Sequence, residues 1–188
     1  MLYETLKPLA IFLFKIFFKI EVKGKEKIPK KGRFILASNH TSVLDPVVLG
    51  VACPRRLYFL AKEELFKNKL FSLLIKTLGA IPLKRESSDL RAIKKALSLL
   101  TEEKPVVIFP QGRRGGFDEV KKGVGFLAKK SNSCVVISKI IGTDRILPKG
   151  KKRLKLGKIK VIFDKVFYKN DDYQDFSLKI FKRIMSLD

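Results

Sequence analysis

Apolar and polar positions run along the chain in blocks whose period switches between that of a helix and that of a strand. Over residues 2–20, Leu2, Leu6, Leu9, Leu13, Ile16, Phe17 and Ile20 fall on one side of a helix, with Glu4, Lys7, Lys15 and Lys19 on the other. A stripe of this kind suits a helix lying in a membrane interface, and Phe14 and Phe18, close to the polar side, favour lipid over packing on a core. Spanning a bilayer takes about 20 mostly apolar residues. Lys15 and Lys19 break this run, so no transmembrane helix is expected. The charged segment Glu21–Lys27 that follows has no small-residue cleavage site, which argues against a secretory signal. Pro8 marks a kink or a fresh helix start.

Beyond a loop at Lys23–Lys31, Arg33–Ala37 reads as a short buried strand. Residues 46–53 read as a helix, with Asp45 as its N-cap and Pro46 at its first position. Residues 56–61 predict a strand, Lys62–Leu78 an amphipathic helix closed by Gly79, and Ala80–Lys84 an extended piece. Ser88 or Asp89 caps a helix reaching about Glu102, and Pro105–Phe109 is a strongly apolar strand. A helix near 121–130, strands at Val135–Ile141 and Lys158–Phe163, and a helix over Asp172–Leu187 complete the pattern. Strands that are continuous apolar runs, alternating with helices, predict a single α/β domain: a mixed, largely parallel central sheet flanked by helices. The expected division is an N-terminal membrane-interface helix over 1–22 and one domain over 23–188, with no repeat and no linker.

Composition adds a partner of one sign. Lys and Arg number 41 against 18 Asp and Glu, a formal charge of +23, with a dense run at Lys149, Lys151, Lys152, Arg153, Lys155 and Lys158. Such a surface suits an anionic membrane, a nucleic acid or an acidic protein. The 46% apolar fraction, with 15 Phe, supplies a core and excludes a disordered tail. Cys53 and Cys134 form no framework and are expected to be buried and inert in a reduced cytosolic setting. With one histidine in the chain, a His-rich zinc site is not expected, and no metal is assigned.

Three segments carry candidate chemistry. In Asn39-His40-Thr-Ser-Val-Leu-Asp45-Pro46, a His can act as general base while a carboxylate fixes its tautomer. Residues five apart on a regular helix diverge by roughly 140°. The pair can meet only if His40 lies in a turn and Asp45 at the helix start, where one carboxylate oxygen would cap the helix and the other would orient His40. In Gly79-Ala-Ile-Pro-Leu-Lys84-Arg85, two adjacent cations follow an extended piece, and the Arg fork suits phosphate oxygens. In Val106-Val-Ile-Phe-Pro-Gln-Gly-Arg-Arg-Gly115, a buried strand leads to a turn in which Gly112 permits close backbone approach and Gln111, Arg113 and Arg114 offer donors. Alone, a His and an Asp five apart is weak evidence, a basic strand end is commonplace, and the third segment is also what a solvated basic turn would look like.

Taken in order, the three resemble the glycerolipid acyltransferase family, and specifically its lysophosphatidic acid acyltransferases. The family's Asn-His-x4-Asp, Gly-x-Ile-x-x-x-Arg and Phe-Pro-Glu-Gly-Thr-Arg-Ser motifs match Asn39–Asp45, Gly79–Arg85 and Phe109–Gly115. Lys62–Phe66, Lys121–Ala128, Ile140–Asp144 and Leu147–Gly150 are similar too, so the likeness runs from about residue 33 to 167. Departures stand at Gln111, Arg113 and Gly115, where the family has Glu, Thr and Ser, and at Ile137, where it has Pro. Gln keeps an acceptor and gains donors but cannot transfer a proton. The strand around Ile137 then reads as core.

The resemblance implies transfer of a fatty acyl group from an acyl carrier protein or coenzyme A thioester to the free hydroxyl of 1-acylglycerol 3-phosphate, forming phosphatidic acid without a cofactor. It implies His40 as base and Asp45 as its orienting partner. Arg85 and Lys84 would hold the phosphate, and Gln111, Gly112 and Arg114 would complete the acceptor site. The expected location is the cytoplasmic face of the cell membrane, peripheral or monotopic. A glycerol 3-phosphate acyltransferase would share the base and differ in acceptor. A catalytically dead relative that binds membranes, or a non-enzymatic basic domain binding membrane or nucleic acid, would explain the charge without the site. Nucleic acid is not the expected partner, because Trp is absent and no aromatic-plus-glycine RNA-binding signature is present.

Overall fold

The computed structural model describes residues 2–83, 90–115, 120–151, 153–166 and 172–188. A seven-stranded sheet in the order β1-β7-β6-β2-β5-β3-β4 forms its centre. The strands are β1 (Phe18–Lys23), β2 (Phe34–Ser38), β3 (Tyr58–Lys62), β4 (Ala80–Leu83), β5 (Val106–Ile108), β6 (Cys134–Ile141) and β7 (Gly157–Val166). Only the β6–β7 pair is antiparallel; every other neighbour runs parallel. The carboxyl ends of β2 to β6 therefore share one edge with the amino ends of β7 and β1.

Continuous apolar runs in the central strands have a direct structural cause, since both faces of the sheet are covered. Along β2, Phe34 and Leu36 join one core with helices α1 (Leu2–Phe17) and α2 (Asp45–Ala52). Ile35 and Ala37 join the other, under α4 (Leu90–Thr101), α5 (Gly123–Ser131) and α7 (Tyr173–Met185). Helix α3 (Lys69–Thr77) leads from β3 back to β4, and the four-residue α6 (Thr143–Ile146) follows β6 at the carboxyl edge. Gly79, with φ 92°, makes the turn from α3 into β4, where a Cβ would strike the Leu57 carbonyl oxygen.

The N-terminus departs from its sequence pattern. The helix stops at Phe17, and Phe18–Lys23 pairs in parallel register with β7, from Phe18↔Gly157 to Lys23↔Ile162. Ile20 and Val22 are β-branched, and the Phe18, Ile20, Val22 alternation with charged residues suits an edge strand. Phe14 and Phe18 do not face outward as expected: both are buried, in ring contact at 5.1 Å. Lys7 fastens the helix to the end of α2 through its ammonium, which donates to Cys53 O at 2.8 Å. Burial lowers the Lys7 pKa. The outer face carries Leu9, Phe12, Leu13, Ile16 and Phe17, all at least 40% exposed. Among the described residues no helix is long and apolar enough to cross a membrane.

The long helix expected over Lys62–Leu78 is broken: Glu63–Phe66 is a 3-10 turn, and α3 starts only after Asn68, whose side chain caps Phe71 N. Cys53 is buried, but Cys134 is only partly so. Burial raises both thiol pKa values, which leaves them poor nucleophiles at neutral pH.

Candidate active site

Strand β2 delivers the chain to a turn at the carboxyl edge, and His40 sits in that turn, 8% exposed. Asp45 opens α2 five residues later and is wholly buried. The two meet as the spacing requires, with His40 Nδ1 2.8 Å from Asp45 Oδ2. The N-cap position itself belongs to Leu44, and Asp45 is the first helical residue. The division of labour between the carboxylate oxygens also differs from expectation. Oδ2 alone accepts the His40 ring, Thr41 N at 2.7 Å and Ser42 N at 2.8 Å. Oδ1 accepts the hydroxyl of Thr143 at 2.6 Å. Since that hydroxyl has its hydrogen on Asp45, the 3.3 Å contact between Thr41 Oγ1 and Thr143 Oγ1 has Thr41 as donor.

An acceptor surrounded by four donors fixes the tautomer. Nδ1 carries the hydrogen and Nε2 keeps its lone pair, the form a general base needs. The imidazole lies against the Phe109 ring, centroids 4.1 Å apart and planes inclined by 19°. Both rings border an apolar cavity of about 520 Å³ walled by α1, α2, β3 and α3, with Leu13, Val47, Phe71 and Leu74 among its lining.

The third segment reaches the same turn. Gln111 is 2% exposed, and its Oε1 accepts His40 N at 2.8 Å. Gln111 Nε2 is buried without a hydrogen-bond partner among the described residues. Gly112, at φ 65°, turns the chain so that its N–H reaches Phe109 O, and Gly115 N donates to His40 O at 2.9 Å. Two opposed backbone and side-chain bonds thus hold His40 from the third segment. Arg114 is partly buried beside them and Arg113 is exposed. Lys84 and Arg85 lie outside the described residues; the strand leading to them ends at Leu83, on the same edge.

Asn39 and Thr143, to which the sequence assigns no role, are tied into the site by hydrogen bonds. Asn39 straddles β2 and β6, donating to Ile140 O at 2.8 Å and accepting from Ile140 N at 2.7 Å. This continues the strand ladder past its end and sets the position from which His40 starts. Thr143 follows Gly142, whose φ of 97° and close approach to the Lys158 carbonyl exclude a Cβ. Its signal in sequence was membership of the Ile140–Asp144 segment.

The acyltransferase family model matches residues 19–142, which include the His40–Asp45 pair and Gln111. The chain belongs to the acyltransferase family. A 1-acyl-sn-glycerol-3-phosphate acyltransferase of Bacillus subtilis is 32% identical over 154 residues, covering 81% of this chain and 75% of that protein. One from Streptococcus pneumoniae is 34% identical over 69% of this chain but only 50% of its own length. The crystal structure of the 1-acyl-sn-glycerophosphate (LPA) acyltransferase PlsC from Thermotoga maritima superposes with a TM-score of 0.79 at 27% identity, over 96% of this chain and 77% of that one. The mixed sheet and its helical layers are thus those of an acyltransferase.

Proposed function

We propose that this acyltransferase moves a fatty acyl group from a thioester, on acyl carrier protein or coenzyme A, to the free hydroxyl of 1-acylglycerol 3-phosphate. The observation that carries the reading is the His40–Asp45 pair at 2.8 Å beside an apolar cavity of about 520 Å³, since one side serves hydroxyl activation and the other an acyl chain. His40 Nε2 takes the proton from the acceptor hydroxyl as its oxygen attacks the thioester carbonyl, and Asp45 stabilises the imidazolium that forms. Collapse of the tetrahedral intermediate expels the thiolate, which recovers the proton from His40. No acyl-enzyme forms, and no cofactor is required.

Arg85 and Lys84 are assigned to the acceptor phosphate on the family motif, with Gln111, Gly112 and Arg114 completing its site. Gln111 Nε2 supports this, as a buried donor still open to an acceptor. The proposed location is the cytoplasmic face of the membrane, peripheral or monotopic; the exposed apolar residues of α1, from Leu9 to Phe17, support membrane contact, so the lipid acceptor need not enter water.

The deciding experiment is acyl transfer by the purified chain to lysophosphatidate and to glycerol 3-phosphate, with each donor supplied in turn. Formation of phosphatidic acid with either donor supports the reading. Transfer only to glycerol 3-phosphate reassigns the acceptor, and transfer to neither removes the activity.

A further inference from the structure

The dense basic run has no part in the site above. Between Leu147 and β7, the side chains of Lys149, Lys151, Arg153 and Lys155 are exposed, and among them stand Leu154 and Leu156 at 54% and 78% exposure. Neither leucine joins a core cluster. No ion pair among the described residues engages these cations.

The loop is tied to the catalytic turn at its root. Ser42 Oγ donates to Leu147 O at 2.9 Å, Lys155 N donates to Ile146 O at 2.9 Å, and α6 carries the Thr143 that binds Asp45. It also abuts the exposed end of α1. Phe18 and Gly157 are register partners in a parallel pair, so the residues just before them, Phe17 and Leu156, leave the same edge side by side. Phe17 is 51% exposed, so Leu156 adjoins the apolar face of α1 at this edge. Next to them Lys19, Arg145, Lys158 and Lys160 line a second cavity of about 490 Å³, in which Glu21 is the opposing carboxylate. Glu21 pairs with Lys23 at 3.5 Å, and exposed Asp144 is the other acidic group at hand.

We propose that residues 149–151 and 153–158, with this basic cavity, form a second contact with an anionic phospholipid surface: Leu154 and Leu156 enter the acyl boundary while the surrounding cations meet headgroup phosphates. Charge selects an anionic partner, and the continuity of Leu156 with α1 selects a planar apolar phase over a folded protein. The proposal extends the membrane reading of α1 but rests on separate residues. Because the loop hangs from α6, docking would bring the lipid headgroup layer to the mouth of the His40 turn.

The chain contains no Trp, so a single introduced one is a clean reporter. Full-length Leu156→Trp and, separately, Phe12→Trp are mixed with vesicles of phosphatidylglycerol and phosphatidylcholine, and with phosphatidylcholine alone. Leu156→Trp is expected to shift its emission to the blue and to be quenched by brominated acyl chains in the anionic vesicles. Replacing Lys149, Lys151, Arg153 and Lys155 by Gln should lower partition into them by about tenfold or more at low salt. Emission from Leu156→Trp unchanged from buffer overturns the proposal, and if Phe12→Trp responds in the same experiment the α1 reading stands without it. A response at position 156 with none at 12 supports the loop and removes α1. A shift produced by acyl carrier protein or an oligonucleotide but not by vesicles also overturns it. Thermal melts establish that each variant is folded, and Leu154→Trp is read in the same way if Leu156→Trp is not.

Discussion

The turn around His40 and the helices α1 and α3 border one cavity, yet the turn and the outer faces of those helices are completed in opposite ways. In the turn, Asp45 is 0% exposed and its oxygens accept four donors from two segments of chain. On α3, Leu70 is 82% and Leu73 66% exposed, and the α1 face adds Phe12 at 61%. The first region is finished by the chain's own hydrogen bonds, so its geometry precedes substrate. The second leaves apolar area uncovered among the described residues. Rigid polar positioning and lipid contact are thus assigned to different elements, and each should be removable without loss of the other.

The sharpest way to test that separation is His40→Ala. Transfer is expected to fall by about 10²–10⁴-fold with the melting temperature and vesicle binding little changed, because a general base typically supplies that factor. The chain has no second histidine to substitute. A folded variant keeping more than about a tenth of wild-type turnover would sink the assignment of the base.

Asp45→Asn should come next, with a loss on the order of 10²-fold or more. The amide can turn its oxygen to the His40, Thr41 and Ser42 donors and its nitrogen to Thr143 Oγ1. Geometry survives while the charge that stabilises imidazolium does not, so turnover should drop far more than stability. Equal losses in both would show Asp45 to be structural.

On the apolar side, converting Leu9, Phe12, Ile16 and Phe17 together to Ser should lower partition into vesicles at high salt by roughly 10²-fold. Each large side chain is worth roughly 1.5–3 kcal/mol when fully buried. Attraction of the cations is screened over about 8 Å at physiological salt and should survive at low salt only. Turnover of a detergent-dispersed acceptor should persist. Deleting residues 1–20 would not be equivalent, because it would strip Phe14 and Phe18 from the core and cut into β1.

Thr143→Val should reduce turnover by roughly tenfold and stability by about 1–3 kcal/mol, since it leaves one Asp45 oxygen and the Thr41 hydroxyl without their buried partner. Thr143→Ser restores the hydroxyl and should recover most of both. The smallest effect is expected from Gln111→Glu. The carboxylate still accepts His40 N, and the family carries Glu there, so activity within a few-fold of wild type is expected. Complete loss would mean that Gln111 and Arg113 had reshaped the turn together, and the assigned acceptor contacts would have to be withdrawn.

The parts of the structure legible in sequence were those governed by short-range patterns. Apolar runs such as Val135–Ile141 and the Asp45-Pro46 helix start were read close to their observed limits. The spacing of His40 and Asp45 allows them to meet only through a turn, and that is how they meet. By contrast, Ile16-Phe17-Phe18 satisfies a helical stripe and a strand alternation equally well. What decides between them is pairing with β7, which lies far along the chain. The same is true of Thr143, separated from Asp45 by 98 residues. The burial of Phe14 depends on where α1 docks against α2 and the sheet, which no local period encodes. Lys84 and Arg85, read from their motif, lie outside the described residues.

The pairing of the first strand with the last has a consequence for how the protein is made. Parallel strands so distant in sequence carry a large loop-closure cost before any contact repays it, so β1 can join the sheet only late in folding. On the ribosome, α1 and β1 emerge well before β7, from which about 130 residues separate them. At about 5–20 residues per second that interval is on the order of ten seconds. Throughout it, Phe14 and Phe18 have no core to enter, and the nascent chain presents them together with Leu9, Phe12 and Ile16. A bilayer encountered during synthesis would therefore meet a more apolar segment than the finished enzyme displays, and closure of β7 onto β1 is the event that withdraws part of that surface.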